Sequence, residues 1–287
     1  MKRHCAVLVL VVIVLGSSCV PGLWADQTAY QETAVTLDHG IRGIVLEPEI
    51  DAPVPAVLML HGFGSHKDEV GNLYQRLAAA LGNHGIASLR IDFRGWGESG
   101  GKMEESSVQT QVDDAATAYA YLKNLSFVDP ARIGVVGFSL GGGIAVVSAA
   151  HHPEWYASMV TWSSVGDFKP DFIDLGQENF DRAAKEGVVT IDLGWREVTL
   201  GHVFFTSLEQ YTLQAEIKKY PGAFLAIAGS EDFSAAYTDS YVAGAAGSQK
   251  EAFILEGADH IFGVFGEDQS TAEQVLQKTV AWFRETL

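Results

Sequence analysis

Cysteine is almost missing from this chain: Cys5 and Cys19 are the only two in 287 residues. Everything beyond Cys19 therefore lacks an internal disulfide, a cysteine nucleophile and a thiolate-held zinc. Positive charge is scarce as well. Nineteen Lys and Arg stand against 36 Asp and Glu, a net charge of −17. That excludes the basic footprint of a nucleic-acid partner, and it favours solubility over binding to anionic surfaces. Long apolar runs are missing too. The run from Ala6 to Leu15 falls short of the roughly 20 residues a membrane-spanning helix needs. No H-E-x-x-H occurs. His151 and His152 are adjacent and followed by Pro153, which reads as a solvated pair and not as a metal site. No metal is expected.

What the first residues do contain is an export signal. Lys2 and Arg3 precede the apolar run, and Gly16-Ser17-Ser18 follows it. Residues 1–25 read as a signal peptide. Cleavage after Ala25 would release a soluble periplasmic or extracellular protein. The alternative is a lipoprotein cut before Cys19, because Gly16-Ser17-Ser18-Cys19 resembles a lipobox but lacks its usual leucine.

The most informative stretch is Ile133 to Gly143. A short β-branched run breaks into Gly137-Phe138-Ser139-Leu140-Gly141, and an alanine- and valine-rich segment follows to Ala150. Strand, tight turn and helix with a serine at the apex fit the nucleophile elbow G-x-S-x-G. Gly137 and Gly141 let strand and helix pass the serine without a Cβ clash. The Leu140 N–H, at the start of the helix, can then help hold a developing oxyanion.

Around this stretch the pattern alternates. Thr33 to Leu37 and Ile41 to Leu46 read as a hairpin around Asp38-His39-Gly40. Apolar runs at Ala56 to Leu60, Ile86 to Ile91, Ser158 to Trp162, Phe224 to Ala228 and Ala252 to Leu255 read as strands. Leu73, Leu77 and Leu81 recur at helical spacing, as do Val108, Val112, Ala115, Tyr119 and Leu122. Asp129-Pro130 reads as a break before the elbow strand. A helix is expected from Ala235 to Ala246. The last helix carries Ala272, Val275, Leu276, Thr279, Val280 and Phe283 on one face. The fold class is therefore α/β, a mainly parallel sheet with helices on both faces. After Ser164 the alternation stops. An amphipathic piece at Phe180 to Lys185 and a hairpin-like run from Val188 to Phe205 read as an insertion at residues 165–211. It divides a core of residues 26–164 and 212–287.

A serine nucleophile needs a base and an orienting carboxylate. With this elbow the chain order is Ser, then Asp or Glu, then His. Asp232 follows the strand Phe224 to Ala228, and His260 follows Ala252 to Leu255. Both fall on the strand edge that carries Ser139. Glu231 is an adjacent rival to Asp232. Asp259 is poorly placed, because neighbouring side chains diverge. The second oxyanion donor should lie in His61-Gly62-Phe63-Gly64, and the Phe63 N–H is chosen; His61 should pack structurally. Gly95-Trp96-Gly97-Glu98-Ser99-Gly100 spells G-x-G-x-x-G, but Glu98 would sit where a pyrophosphate belongs. No cofactor is expected.

These blocks resemble the α/β-hydrolases, in particular the bacterial cinnamoyl (feruloyl) esterases. The likeness runs through His61 to Lys67, Ile86 to Gly95, Phe127 to Gly134 and Gly137 to Gly142. Asp232 and His260 match the family's acid and base motifs. Thr190 to Arg196 resembles the hairpin of its inserted lid, and the export signal departs from many relatives. The resemblance implies an α/β-hydrolase fold with a lid, and a serine esterase acting on a small-molecule ester. Trp195, in the lid hairpin, would then line the acyl pocket. Rival readings are another chemistry on the same triad (amide, thioester or carbon–carbon hydrolysis, or a cofactor-free haloperoxidase) or a non-catalytic exported ligand-binding lipoprotein. Oligomeric state has no signature in the sequence.

Overall fold

The computed structural model describes residues 28–287. The expected signal peptide and the alternative lipid anchor at Cys19 lie outside the described residues. No described helix is long and apolar enough to cross a membrane.

The chain opens with strands β1 (Tyr30–Thr36) and β2 (Arg42–Pro48), an antiparallel pair. The rest of the sheet is β3 (Val54–Leu60), β4 (Ala87–Ile91), β5 (Val128–Phe138), β6 (Ser158–Trp162), β9 (Ala223–Gly229) and β10 (Lys250–Leu255). Between β6 and β9 the chain leaves the sheet and makes the small hairpin β7 (Val188–Asp192) and β8 (Glu197–Gly201). The sheet order is β1-β2-β4-β3-β5-β6-β9-β10. From β4 onward all neighbours are parallel. Parallel strands need crossovers, and here helices supply them. Strands β3, β4 and β6 are buried along almost their whole length, as a sheet covered on both faces requires.

The covering helices are α1 (Leu73–Gly82), α2 (Val108–Lys123), α3 (Leu140–His151), α8 (Ala235–Gly244) and α9 (Ser270–Thr286). Leu73, Leu77 and Leu81 of α1 join Val275, Val280 and Phe283 of α9 in one core. Val112 and Ala115 of α2, Ile144 and Val147 of α3, and Tyr241 of α8 form the core on the other face. A capping box starts α2. Ser107 accepts the Thr110 N–H at 3.1 Å, and Thr110 returns a bond from the Ser107 N–H at 2.8 Å; this satisfies two otherwise orphaned donors.

Three details differ from the sequence expectation. Asp129-Pro130 does not precede the elbow strand but lies within it; β5 starts at Val128 and absorbs the proline through a register shift opposite Val54 and Ala56, where a missing N–H is tolerated. The hairpin ends at Gly201, and His202–Ser207 is a helix, α6. The chain is off the sheet over residues 163–222, and besides the hairpin and α6 this excursion holds α4 (Phe168–Phe172), α5 (Gln177–Glu186) and α7 (Leu213–Glu216).

Candidate active site

Strands β3, β5, β9 and β10 run parallel, so the loops at their carboxyl ends open on one edge of the sheet. Ser139 sits directly after β5 with φ 52° and ψ −117°. For a non-glycine residue this backbone costs roughly 1–3 kcal/mol and needs surroundings that enforce it. They do. The Ser139 N–H donates to Trp162 O at 2.9 Å, and the Gly142 N–H donates to Ser139 O at 3.0 Å. A Cβ on Gly137 would meet Gly141 O at 2.1 Å, and a Cβ on Gly141 would meet Leu60 O at 2.1 Å. Both glycines are thus required by close backbone approach.

The loop after β9 carries Asp232, and the loop after β10 carries His260. His260 Nδ1 lies 2.9 Å from Asp232 Oδ1. Asp232 Oδ2 accepts the Ser234 hydroxyl. Burial raises the Asp232 carboxyl. The hydrogen bond to His260, its charge and the Ser234 hydroxyl more than offset that, and the group is held below the usual carboxylate range. An ionised Asp232 makes Nδ1 the donor and leaves Nε2 as the basic nitrogen. The imidazole sits between two rings. Phe138, which precedes Ser139, has its centroid at 5.2 Å, and Phe233 stacks at 5.2 Å. Ser139 Oγ makes no hydrogen bond among the described residues, and such bonds often tighten only when substrate is bound. Neither Glu231 nor Asp259 bonds the imidazole. Asp259 instead accepts the N–H groups of Ile261 and Gly263.

The loop after β3 faces the elbow. The N–H groups of Phe63 and Leu140 donate to no protein group among the described residues, so both are available to a ligand. His61 is buried, with Nδ1 2.8 Å from Gly62 O and Nε2 accepting the Phe93 N–H at 3.2 Å. Burial pushes its imidazole down to about 4. The neutral ring therefore carries its proton on Nδ1 and donates it to Gly62 O. The Phe63 ring packs against Trp96, Phe172 and Phe204 at centroid distances of 5.1 to 5.6 Å. Trp195, at the hairpin tip, is 65% exposed and lies flush on Gly64, where a Cβ would come within 2.5 Å of its ring. The next residue, Arg196, donates to Gly64 O at 2.5 Å.

The two glycine- and histidine-rich motifs do other work. Gly95 and Gly97 turn the chain around Asp92, whose carboxylate accepts the Glu98 N–H and faces Lys67 Nζ at 3.2 Å. A Cβ on Gly97 would strike that carboxylate at 2.2 Å. His151 pairs with Glu216 at 3.3 Å while His152 stacks on Trp155. Among the described residues no three His, Cys, Asp or Glu side chains cluster to hold a metal ion.

Sequence reasoning missed Glu69, Ser234, Phe233 and Arg196. Ser234 had a local signal, two residues after the acid. Phe233 and Arg196 acquire partners only through tertiary contacts, and Glu69 through a local turn to Gly62, Ser65 and Val70.

A mainly parallel sheet with an elbow serine, and a His–Asp pair on the same edge, defines an α/β-hydrolase. Residues 51–195, half of the chain, match the family model described as serine aminopeptidase, S33, and the chain belongs to that family. A monoacylglycerol lipase of Mycolicibacterium smegmatis is 34% identical over 124 residues, 42% of each chain. A multifunctional-autoprocessing repeats-in-toxin of Vibrio cholerae is 40% identical over 93 residues, 31% of this chain but 2% of the toxin. An uncharacterised protein of Mycobacterium tuberculosis is 36% identical over 99 residues, a third of its length. The matches thus span less than half of each of these relatives. Among solved structures, Est1E of Butyrivibrio proteoclasticus with ferulic acid bound superposes with a TM-score of 0.72 at 19% identity, covering 88% of this chain and 98% of that one. A monoacylglycerol lipase of Paleococcus ferrophilus gives 0.66 at 18% identity over 82% and 97%. At such identities the likeness is one of fold.

Proposed function

We propose that this protein is a serine hydrolase of carboxylic esters that works through an acyl-enzyme. The observation that carries the reading is the His260–Asp232 bond of 2.9 Å on the edge of the strained Ser139. His260 Nε2 takes the Ser139 proton as Oγ attacks the ester carbonyl. The Phe63 and Leu140 N–H groups receive the oxyanion; each such donor is worth about 3 kcal/mol in the transition state. His260 returns its proton to the departing alcohol and then activates the water that frees the acid. Asp232 holds the imidazole in the required tautomer and stabilises its charged form.

The substrate is an aryl ester of the feruloyl or cinnamoyl type. Supporting this are the exposed aromatic side chains of Trp195 and Phe233, the second stacked on His260, and the fold shared with an esterase-like protein that binds ferulic acid. Residues 165–211 act as the lid over this site, inserted between core segments 26–164 and 212–287. Residues 1–25 direct export, with release after Ala25 or anchoring at Cys19.

The test is a hydrolysis panel of hydroxycinnamoyl, short-acyl and long-acyl esters, with an amide and a thioester as controls. It is paired with fluorophosphonate labelling of wild type and Ser139→Ala. Wild type should label at Ser139 and turn over aryl esters best; Ser139→Ala should fold, escape labelling and lose several orders of magnitude in kcat. A Ser139→Ala variant with near wild-type turnover refutes the mechanism.

A further inference from the structure

Glu69 lies just beyond the loop that bears the Phe63 N–H. It is 2% exposed, and its backbone sits at φ 61°, a region where a long side chain is rarely found. Its carboxylate makes three hydrogen bonds. Oε2 accepts the Gly62 N–H at 2.6 Å. Oε1 accepts the Ser65 hydroxyl at 2.5 Å and the Val70 N–H at 2.8 Å. No Lys or Arg pairs with it among the described residues. Burial pushes the carboxyl above its usual range, and the three bonds oppose this. A buried carboxylate without a cation is costly, and so is left-handed backbone. Closing a turn requires neither.

Two of the three bonds go to the Phe63 loop, and peptide geometry shows what they fix. The Gly62 carbonyl and the Phe63 N–H belong to one planar trans peptide, so they point in opposite directions. That carbonyl is held by His61 Nδ1 at 2.8 Å and by the Ser65 N–H at 3.2 Å. Glu69 holds the other side of Gly62 through its N–H, and it holds Ser65 through the hydroxyl. Removing the carboxylate therefore frees Gly62 directly and loosens one of the two donors on the Gly62 carbonyl. The Phe63 N–H would lose its single direction.

We propose that Glu69 is a positioning residue for the oxyanion hole: its carboxylate clamps Gly62 and Ser65 so that the Phe63 N–H aims at the reacting carbonyl. This rests on the reading of Phe63 as an oxyanion donor. Glu69 touches no substrate, and its effect belongs to the transition state alone.

The experiment compares wild type, Glu69→Gln and Ser65→Ala with a p-nitrophenyl ester, using active sites counted by fluorophosphonate. The second readout is the affinity of an arylboronic acid, whose tetrahedral serine adduct places an oxygen in the hole. Glu69→Gln should lower kcat about 30-fold, less than the loss of a whole donor, and leave KM within about twofold. Boronate affinity should fall by a similar factor. Ser65→Ala should show the same pattern at about tenfold. Wild-type kcat and boronate affinity in Glu69→Gln would overturn the proposal. So would a rise in KM with kcat intact, which would mean a loosened pocket. Should Glu69→Gln fail to fold, unchanged kinetics in Ser65→Ala would overturn it as well. Failure of wild type to label at Ser139 would instead sink the hydrolase reading itself.

Discussion

Gly141→Ala tests the elbow where sequence and structure make the same demand. The added Cβ would fall 2.1 Å from Leu60 O and 2.5 Å from His61 O. An ordinary C···O approach is about 3.3 Å, so helix α3 and the end of β3 must separate by about 1 Å. Both obstructing atoms are backbone, and no side chain can swing aside. Overpacking of this kind costs about 1–3 kcal/mol of stability. The larger effect falls on catalysis. The displaced residues lead directly into Gly62 and Phe63 on one side and Ser139 on the other, and a 1 Å misplacement of reacting groups costs about 100-fold. Gly141→Ala should therefore remain folded in circular dichroism, with a lower thermal midpoint and kcat reduced about 100-fold on a p-nitrophenyl ester. Active-site titration separates slow turnover from a loss of competent molecules. A variant with wild-type kcat would refute the argument, because it would show that the elbow tolerates a separation the geometry forbids.

Two other measurements follow from the structure. Trp195→Ala should raise KM about tenfold for a hydroxycinnamate ester and little for an acetyl ester, while Ser139 still reacts with a small organophosphate; equal loss on both esters would make Trp195 a folding residue. His61, lowered from 6.5 to about 4 by burial, binds fewer protons folded than unfolded between those values, so stability rises with pH through that window and is lost as pH falls. The loss should amount to about 3 kcal/mol between pH 7 and pH 4, visible in urea unfolding as a steeper acid decline for wild type than for His61→Gln, and parallel declines would refute it.

The sheet, its helices and the order of the site residues were legible because each leaves a local trace. Apolar runs mark β3, β5 and β9, and leucines at every fourth position mark α1. The glycines at 137 and 141 announce a turn too tight for a Cβ. Once parallel topology is assumed, every strand end lies on a known edge, and Asp232 (with Glu231 as its rival) and His260 become candidates by position. The misreadings also have local causes. Pro130 looks like a break unless the extra residues that β5 accommodates opposite Val54 and Ala56 are known, and Val203 to Phe205 look like a continuation of the strand, whereas Phe204, Phe205 and Leu208 are buried at helical spacing in and just after α6.

The polar groups around the loop after β3 left no such trace. Glu69 belongs to the string His66-Lys67-Asp68-Glu69, which reads as solvated surface, yet its carboxylate is buried against Gly62 and Ser65. Arg196 looks like a hairpin charge, yet it donates to Gly64 O at 2.5 Å, on the glycine that the Trp195 ring also covers. The loop is therefore held from two sides, by β3 and its following turn through Glu69 and by the excursion through Arg196. Phe63 joins the two. Its ring packs on Trp96, in the loop after β4, and on Phe172 and Phe204 from the excursion. A rigid outward swing of the excursion would have to break the Arg196 bond and strip two aromatic neighbours from Phe63, the residue proposed to present the oxyanion donor.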